Sequence, residues 1–430
     1  VGGLVATTGK ANADEFMAGK ASFYRDGSTG SVVNEGQLKA ALGGYIALLA
    51  PEVRNQGVVV AQTGLVALAT GEVITLNFNN AGTGLAGIST TAQAIAALVD
   101  NRSAVLAEGG QIILSAHALA TLQGAVVKNS GQLSATSLTE KGGKIVLMGD
   151  KVELASTSRI EANGPMGGGT VLVGGDWQGS GDTRQATQVT MAQGASIEAN
   201  ATQQGDGGKV VLWSDVTNAN SLTQVAGRIE AKGAGTGNGG QVETSGHVLN
   251  TDGIAVLAGS NGGKAGSWLL DPTDSTIGAT QVASYLTSLN NGTDVINYTT
   301  GSITWTNNVD LLKNAGGDAT LTLRAGTNLT IGDGVDITST SNKLNLVLWS
   351  GYQAAGQRGW TSIGSATFNT NGGHVWIGGG AQDLSETTIW NGLAVGSHYA
   401  TSFVSPYIGL KLNGTSINSN GGDIFLKGRT

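Results

Sequence analysis

The sequence predicts an all-β chain wound as a right-handed parallel β-helix, a solenoid with short extra-helical insertions. Three observations carry this expectation. The phrase Gly-Gly-x-apolar recurs along the chain. Short apolar runs of strand type follow it, separated by tight Gly and Asn turns with no helices between them. The composition completes the case: of 430 residues, 70 are glycine and only 12% are charged, yet 40% are hydrophobic, which is enough to fill a core.

The repeat has two halves. The glycine doublets are Gly43-Gly44, Gly109-Gly110, Gly142-Gly143, Gly168-Gly169, Gly207-Gly208, Gly239-Gly240 and Gly372-Gly373. The phrase also stands at Gly262-Gly263, Gly316-Gly317 and Gly421-Gly422. Each is read as a structural turn, its glycines supplying positive φ, followed by a half-buried strand such as Ile145–Met148 or Val210–Trp213. The second half is turn, apolar-x-Ala, turn, as in Arg159–Gly164, Ser196–Asn200 and Arg228–Gly233. There Ile and Ala alternate inward while Glu points out. Strands this short, with no helices to cross over, cannot build an α/β sheet but can stack coil upon coil. Coils of about 20–25 residues give roughly 15–20 rungs at about 4.8 Å each. Asparagines at the turns are placed to form side-chain ladders.

Taken in order, residues 1–76 read as β-helix and 77–108 as an extra-helical element. In the latter, Ala92–Val99 suits a short helix or added strands. Residues 109–271 carry the regular repeat. Residues 272–300 read as a loop-out, with helix-like apolar spacing over Gln281–Leu286. Residues 301–430 continue the solenoid in a Thr-, Asn- and Trp-rich texture.

Several function classes are excluded or disfavoured. The net charge of −7 argues against a nucleic-acid partner. The absence of cysteine removes disulfides, thiol nucleophiles and cysteine-ligated metals. No apolar run reaches the ~20 residues of a membrane-spanning helix. The abrupt opening, Val1-Gly2-Gly3-Leu4-Val5, reads as the interior of something longer.

Certain blocks resemble the large exoproteins of Gram-negative two-partner secretion, the filamentous-haemagglutinin and high-molecular-weight adhesin family. They are Val1–Thr8, Gly43–Gly57, Val173–Gly179, and above all Val242-Glu243-Thr244-Ser245-Gly246-His247 followed by Trp268-Leu269-Leu270-Asp271-Pro272. The resemblance is strong over residues 1–275 and one of texture beyond. It implies that residues 1–76 are the C-terminal part of a secretion-domain-like β-helix. It also implies export through an outer-membrane transporter barrel and a secreted or surface-bound adhesin that contacts host or bacterial glycans and proteins, or itself. The Asn-Pro-Asn-Gly segment that opens the family's secretion domain is absent, so the complete secretion signal is expected to lie outside this chain.

Candidate chemistry is sparse. Asp176, Asp182, Asp215, Glu243, Asp271 and Asp274 are the carboxylates to weigh for a polysaccharide-cleaving cleft, and their Gly and Trp neighbours favour turn capping instead. His117, His247, His374 and His398 are dispersed without metal-ligand spacing, and neither a metal nor a cofactor is expected. The glycine doublets lack the strand-to-helix context of a phosphate cradle. Of eight tryptophans, Trp213 and Trp349 end apolar strands and read as core. Trp360 and Trp390, beside Gly359 and Asn391, are the candidates for stacking on a glycan or partner. Sequons occur at Asn101, Asn200, Asn291, Asn297, Asn328 and Asn413. The leading expectation is a non-catalytic fibrous adhesin mediating attachment or aggregation. The alternatives are a filament subunit joined through β-helix ends, a polysaccharide-degrading enzyme, and a stalk delivering a toxin.

Overall fold

A computed structural model describes residues 2–17, 21–79, 84–122, 124–181, 183–352, 359–380, 400–401 and 409–429. One parallel sheet of 14 strands runs from Gly3–Thr7 to Ile424–Leu426 and forms the principal side of a parallel β-helix. A typical coil passes from this sheet at Tyr45–Leu49 to a second at Glu52–Asn55 and a third at Val58–Val60. It returns to the first at Leu65–Ala69. The second and third sheets have eight strands each, ending at Val248–Asn250 and Ile254–Leu257. Beyond them a new second sheet of five strands and a new third sheet of four begin at Ser275–Ile277 and Leu311–Lys313.

Alternation fills the interior. Ile112, Ile145, Val171, Val210, Val242 and Trp268 form one continuous inward column, each in register with the next. The corner asparagines stack into a buried relay. Asn34 donates to Asn55 at 2.8 Å, Asn55 to Asn101 at 2.8 Å, Asn101 to Asn129 at 2.7 Å, and Asn129 to the Ser158 hydroxyl at 2.6 Å. Two of the sequon asparagines, Asn101 and Asn297, are thus buried in the folded chain.

The structure corrects several expectations. Among the described residues, fourteen rungs at about 4.8 Å span about 60 Å, fewer than the repeat length suggests, because insertions lengthen individual coils. The extra-helical element does not fill 77–108. It is an antiparallel sheet of Lys10–Ala11, Ala21–Tyr24, Val73–Phe78 and Leu85–Thr90, with a short helix, Ala13–Met17, beside it. The β-helix has resumed by Ala97–Asn101, a rung paired with Glu52–Asn55 and Ala125–Asn129, so Ala92–Val99 makes no helix. Its alternating Ala97, Val99 and Asn101 are buried inward, a period of two that the run of alanines conceals.

Residues 272–300 are not looped out. Helix Ala279–Leu289 takes the place of a third-side strand within its coil, and Thr293–Thr299 is a principal-sheet strand. The helix buries Val282, Tyr285 and Leu289, with Tyr285 edge-on to Trp268 at 6.0 Å.

The glycine doublets owe their identity to contact more than to φ. Gly43, Gly109 and Gly372 have positive φ, but the leading glycines at 142, 168, 207 and 239 do not. Backbone from the neighbouring coils crowds the doublets instead. A Cβ on Gly168 would lie 1.9 Å from the Ala199 carbonyl oxygen, and one on Gly208 would lie 2.1 Å from that of Gly169. The two halves of the repeat therefore interlock: the N–H of Gly208 donates to the Ala199 carbonyl at 2.7 Å.

Candidate functional site

The outer face of the principal sheet is built from the residues that alternate with the core. Much of it is apolar and sealed by additions. The antiparallel sheet lays Phe23, Ile74 and Leu76 over Ala47, Leu49 and Ala67. Downstream, the 174–187 loop brings Trp177 against Val146, Leu172, Val211 and Trp213. Near the C-terminal end, Tyr352 and Phe425 pack on Val347, Trp349 and Trp376. Trp213 and Trp349 are thus buried as expected of core residues, but in satellite clusters outside the coil.

Between the last two covers the outer face turns polar. Glu243 is fully buried; its Oε2 accepts from the Gln178 N–H at 2.8 Å and its Oε1 from the Ser245 hydroxyl at 2.9 Å. Burial pushes its carboxyl up to about 7, against those two hydrogen bonds and with the help of Asp271 and Asp176. Burial likewise lifts Asp271, on the adjacent strand, to about 7. Farther along, the Arg324 guanidinium lies 4.4 Å from the ring centroid of Trp349, 4.5 Å from that of Tyr352 and 5.2 Å from that of Tyr298. Its Nε is buried without a hydrogen-bond partner.

The other weighed residues scatter. Asp176 accepts from the Trp177 N–H at 2.7 Å, Asp215 from Thr217 at 2.9 Å, and Asp274 from the Ser302 N–H on the next coil at 2.7 Å. His247 Nδ1 sits 2.9 Å from the Thr273 hydroxyl and 3.1 Å from the Val216 carbonyl. His117 bridges to Thr90 of the antiparallel sheet, and burial, with the Arg184 charge, pushes its imidazole down. Trp360 is half-buried in the turn before Thr361–Ile363, its backbone N–H donating to Asn328 at 3.3 Å. Trp390, Asp182 and His398 lie outside the described residues. Among the described residues, no group of three or more His, Asp or Glu side chains is placed to hold a metal ion, and no helix is long and apolar enough to cross a membrane.

Sequence reasoning missed a groove of about 520 Å³ on the outer face of the second sheet. Five consecutive strands supply its floor through one outward position each: Asp100, Lys128, Glu153, Thr190 and Gln224, in exact lateral register. Arg102 pairs with Asp100 at 2.7 Å, and Lys128 with Glu153 at 2.9 Å. The turn residues Ala155 and Ala192 form its side. The residues come from five separate coils of unequal length, so no local motif announces them. The one signal in the sequence is their place just before each second-sheet corner.

The secretion domain of HMW1 from Haemophilus influenzae is similar in structure to this chain. The two are 25% identical, the match covers 63% of this chain and 74% of that domain, and the TM-score is 0.45. No protein-family profile matches the chain, and no curated protein does.

Proposed function

We propose that this chain is the shaft of a secreted or cell-surface adhesin, non-catalytic, which leaves the cell through an outer-membrane transporter barrel. The observation that carries the reading is the principal sheet, 14 parallel strands in one uninterrupted ladder. Such a stack holds each coil only through its neighbours, so it can fold coil by coil as the chain emerges from a pore. It yields a stiff rod whose outward side chains are free to make contacts. The cysteine-free sequence and the blocks at Val242–His247 and Trp268–Pro272 support the same route.

The carboxylates support a non-catalytic role. A glycosidase needs two of them facing a sugar from opposite sides, with access for the polymer. Glu243 is sealed with both oxygens engaged, and Asp176, Asp215 and Asp274 are occupied with backbone N–H groups.

The test is adhesion by the purified chain, immobilised on beads and presented to host and bacterial cells. Retention above that of an unrelated β-helix is expected. A chain that binds neither cells nor itself would sink the adhesin reading, and release of oligosaccharides from any polysaccharide in a panel would overturn the non-catalytic one.

A further inference from the structure

We infer that the groove on the second sheet binds an extended, uncharged glycan chain, an inference that rests on the adhesin reading and gives it a contact surface. The groove crosses five strands, Ala97–Asn101, Ala125–Asn129, Lys151–Leu154, Gln188–Met191 and Leu222–Val225. Four steps of about 4.8 Å make it about 19 Å long, parallel to the rod axis. That is a track for several units of a polymer and is open along its length, unlike an enclosed pocket for a small molecule.

Charge then selects the ligand. The floor reads acid, base, acid, then two neutral polar groups: Asp100, Lys128, Glu153, Thr190 and Gln224. The charges already neutralise one another through Arg102–Asp100 and Lys128–Glu153. A polyanion would have to displace a carboxylate from Lys128 or Arg102 and then face it as a like charge; a polycation meets the reverse problem. A hydroxyl group has neither difficulty. It donates to the half-exposed Glu153 and accepts from Lys128, Arg102 or the Gln224 amide, leaving both ion pairs in place. Repeated hydroxyls along a sugar chain match a floor that alternates acceptor and donor from rung to rung.

An extended peptide fits less well. Peptides are commonly captured by adding a strand to a free sheet edge. The central strands of this floor are hydrogen-bonded on both sides, so the groove offers side chains only.

The experiment is calorimetric titration of the purified chain with neutral gluco-, manno- and galacto-oligosaccharides of increasing length. Polyanionic glycans and an acidic and a basic peptide serve as comparisons. Thr190→Trp fills the floor from a half-buried, outward strand position that tolerates aromatics. A second variant, Lys128→Ala with Glu153→Ala, removes a half-exposed ion pair whose loss leaves stability nearly unchanged. The expected result is binding of at least one neutral series, tightening with chain length up to the span of the groove. Each variant should weaken it by about tenfold or more while melting like the native chain.

Unchanged affinity in both variants overturns the inference, as does binding confined to charged glycans and abolished by salt, or to a peptide. Bead adhesion measured in parallel separates the two readings. If cells are retained equally by native chain and variants while no neutral glycan binds, the groove assignment falls and the adhesin reading stands. If nothing is retained and nothing binds, both fall.

Discussion

Glu243 is the residue whose environment departs furthest from what its neighbours in sequence suggest. In Val242-Glu243-Thr244-Ser245 an alternating strand should turn the glutamate to solvent, and it does face away from the coil. The 174–187 loop then closes over it through the Gln178 N–H. The sign of the consequence follows from the shift. With a folded value of about 7 against 4.5 for an ordinary glutamate, the native chain keeps a proton that the unfolded chain releases. The stabilisation is fully present below the lower value, declines as pH rises and is lost above about 7; for one such group it amounts to at most about 3 kcal/mol. Glu243→Gln stays neutral throughout, and its amide oxygen can still accept from Gln178. Thermal melting should therefore find the variant equal to the native chain at or below about pH 4 and more stable near about pH 8. Identical pH profiles for the two proteins would show that Glu243 does not titrate in this range.

At the scale of the element, the Gly-Gly turn is a contact between coils. The trailing glycines at 44, 110, 143, 169, 208 and 240 each donate their N–H to an alanine carbonyl of their own coil while the preceding coil's carbonyl occupies the space a side chain would need. Gly208 has an ordinary φ, so Gly208→Ala is not penalised by local backbone conformation. The cost lies in the Gly169 oxygen 2.1 Å from the added carbon, which cannot move without breaking the ladder on both sides. Destabilisation of about 2 kcal/mol or more is expected in urea unfolding. Gly36→Ala, at a turn where an added Cβ meets nothing within 4 Å, should cost well under about 1 kcal/mol. Equal costs at the two positions would show that stacking contact is not what selects glycine.

At the scale of the molecule, the solenoid is two blocks on one continuous sheet. The second and third sheets break after Ile254–Leu257, and only the principal sheet crosses the junction through Gly266–Asp271 and Thr293–Thr299. Helix Ala279–Leu289 fills the side left open. Tyr285 is its anchor: fully buried, edge-on to Trp268, its hydroxyl accepting from Asn297 at 2.8 Å. In a stack of nearest-neighbour contacts, cooperativity is set by the weakest interface. The native chain should unfold in urea as one transition. Tyr285→Ala, which removes about 3–5 kcal/mol from that interface, should resolve it into two, one for each block. A single transition that merely shifts would show that the principal sheet alone couples the blocks.

The architecture is written in the repeat. A repeat in which glycine, apolar and small residues return at each coil specifies a parallel β-helix, because the same short strand must pair with its own copies. That logic is local to one coil and survives unequal coil lengths. It also placed the helical spacing near Gln281–Leu286, although not the helix's position inside the coil. What stands beside what across coils is settled by folding in three dimensions. Lys10–Tyr24 and Val73–Thr90 lie far apart in the chain and pair as one extra-helical sheet. Asp100, Lys128, Glu153, Thr190 and Gln224 align only once the insertions are looped out and the strands fall into register. Burial of Glu243 depends on a loop contributed some 65 residues earlier. Periodicity within a strand dictates which way a side chain points, whereas the coil-to-coil register and the covering loops dictate which neighbours and how much water it meets there. The candidate site belongs wholly to that second set of facts.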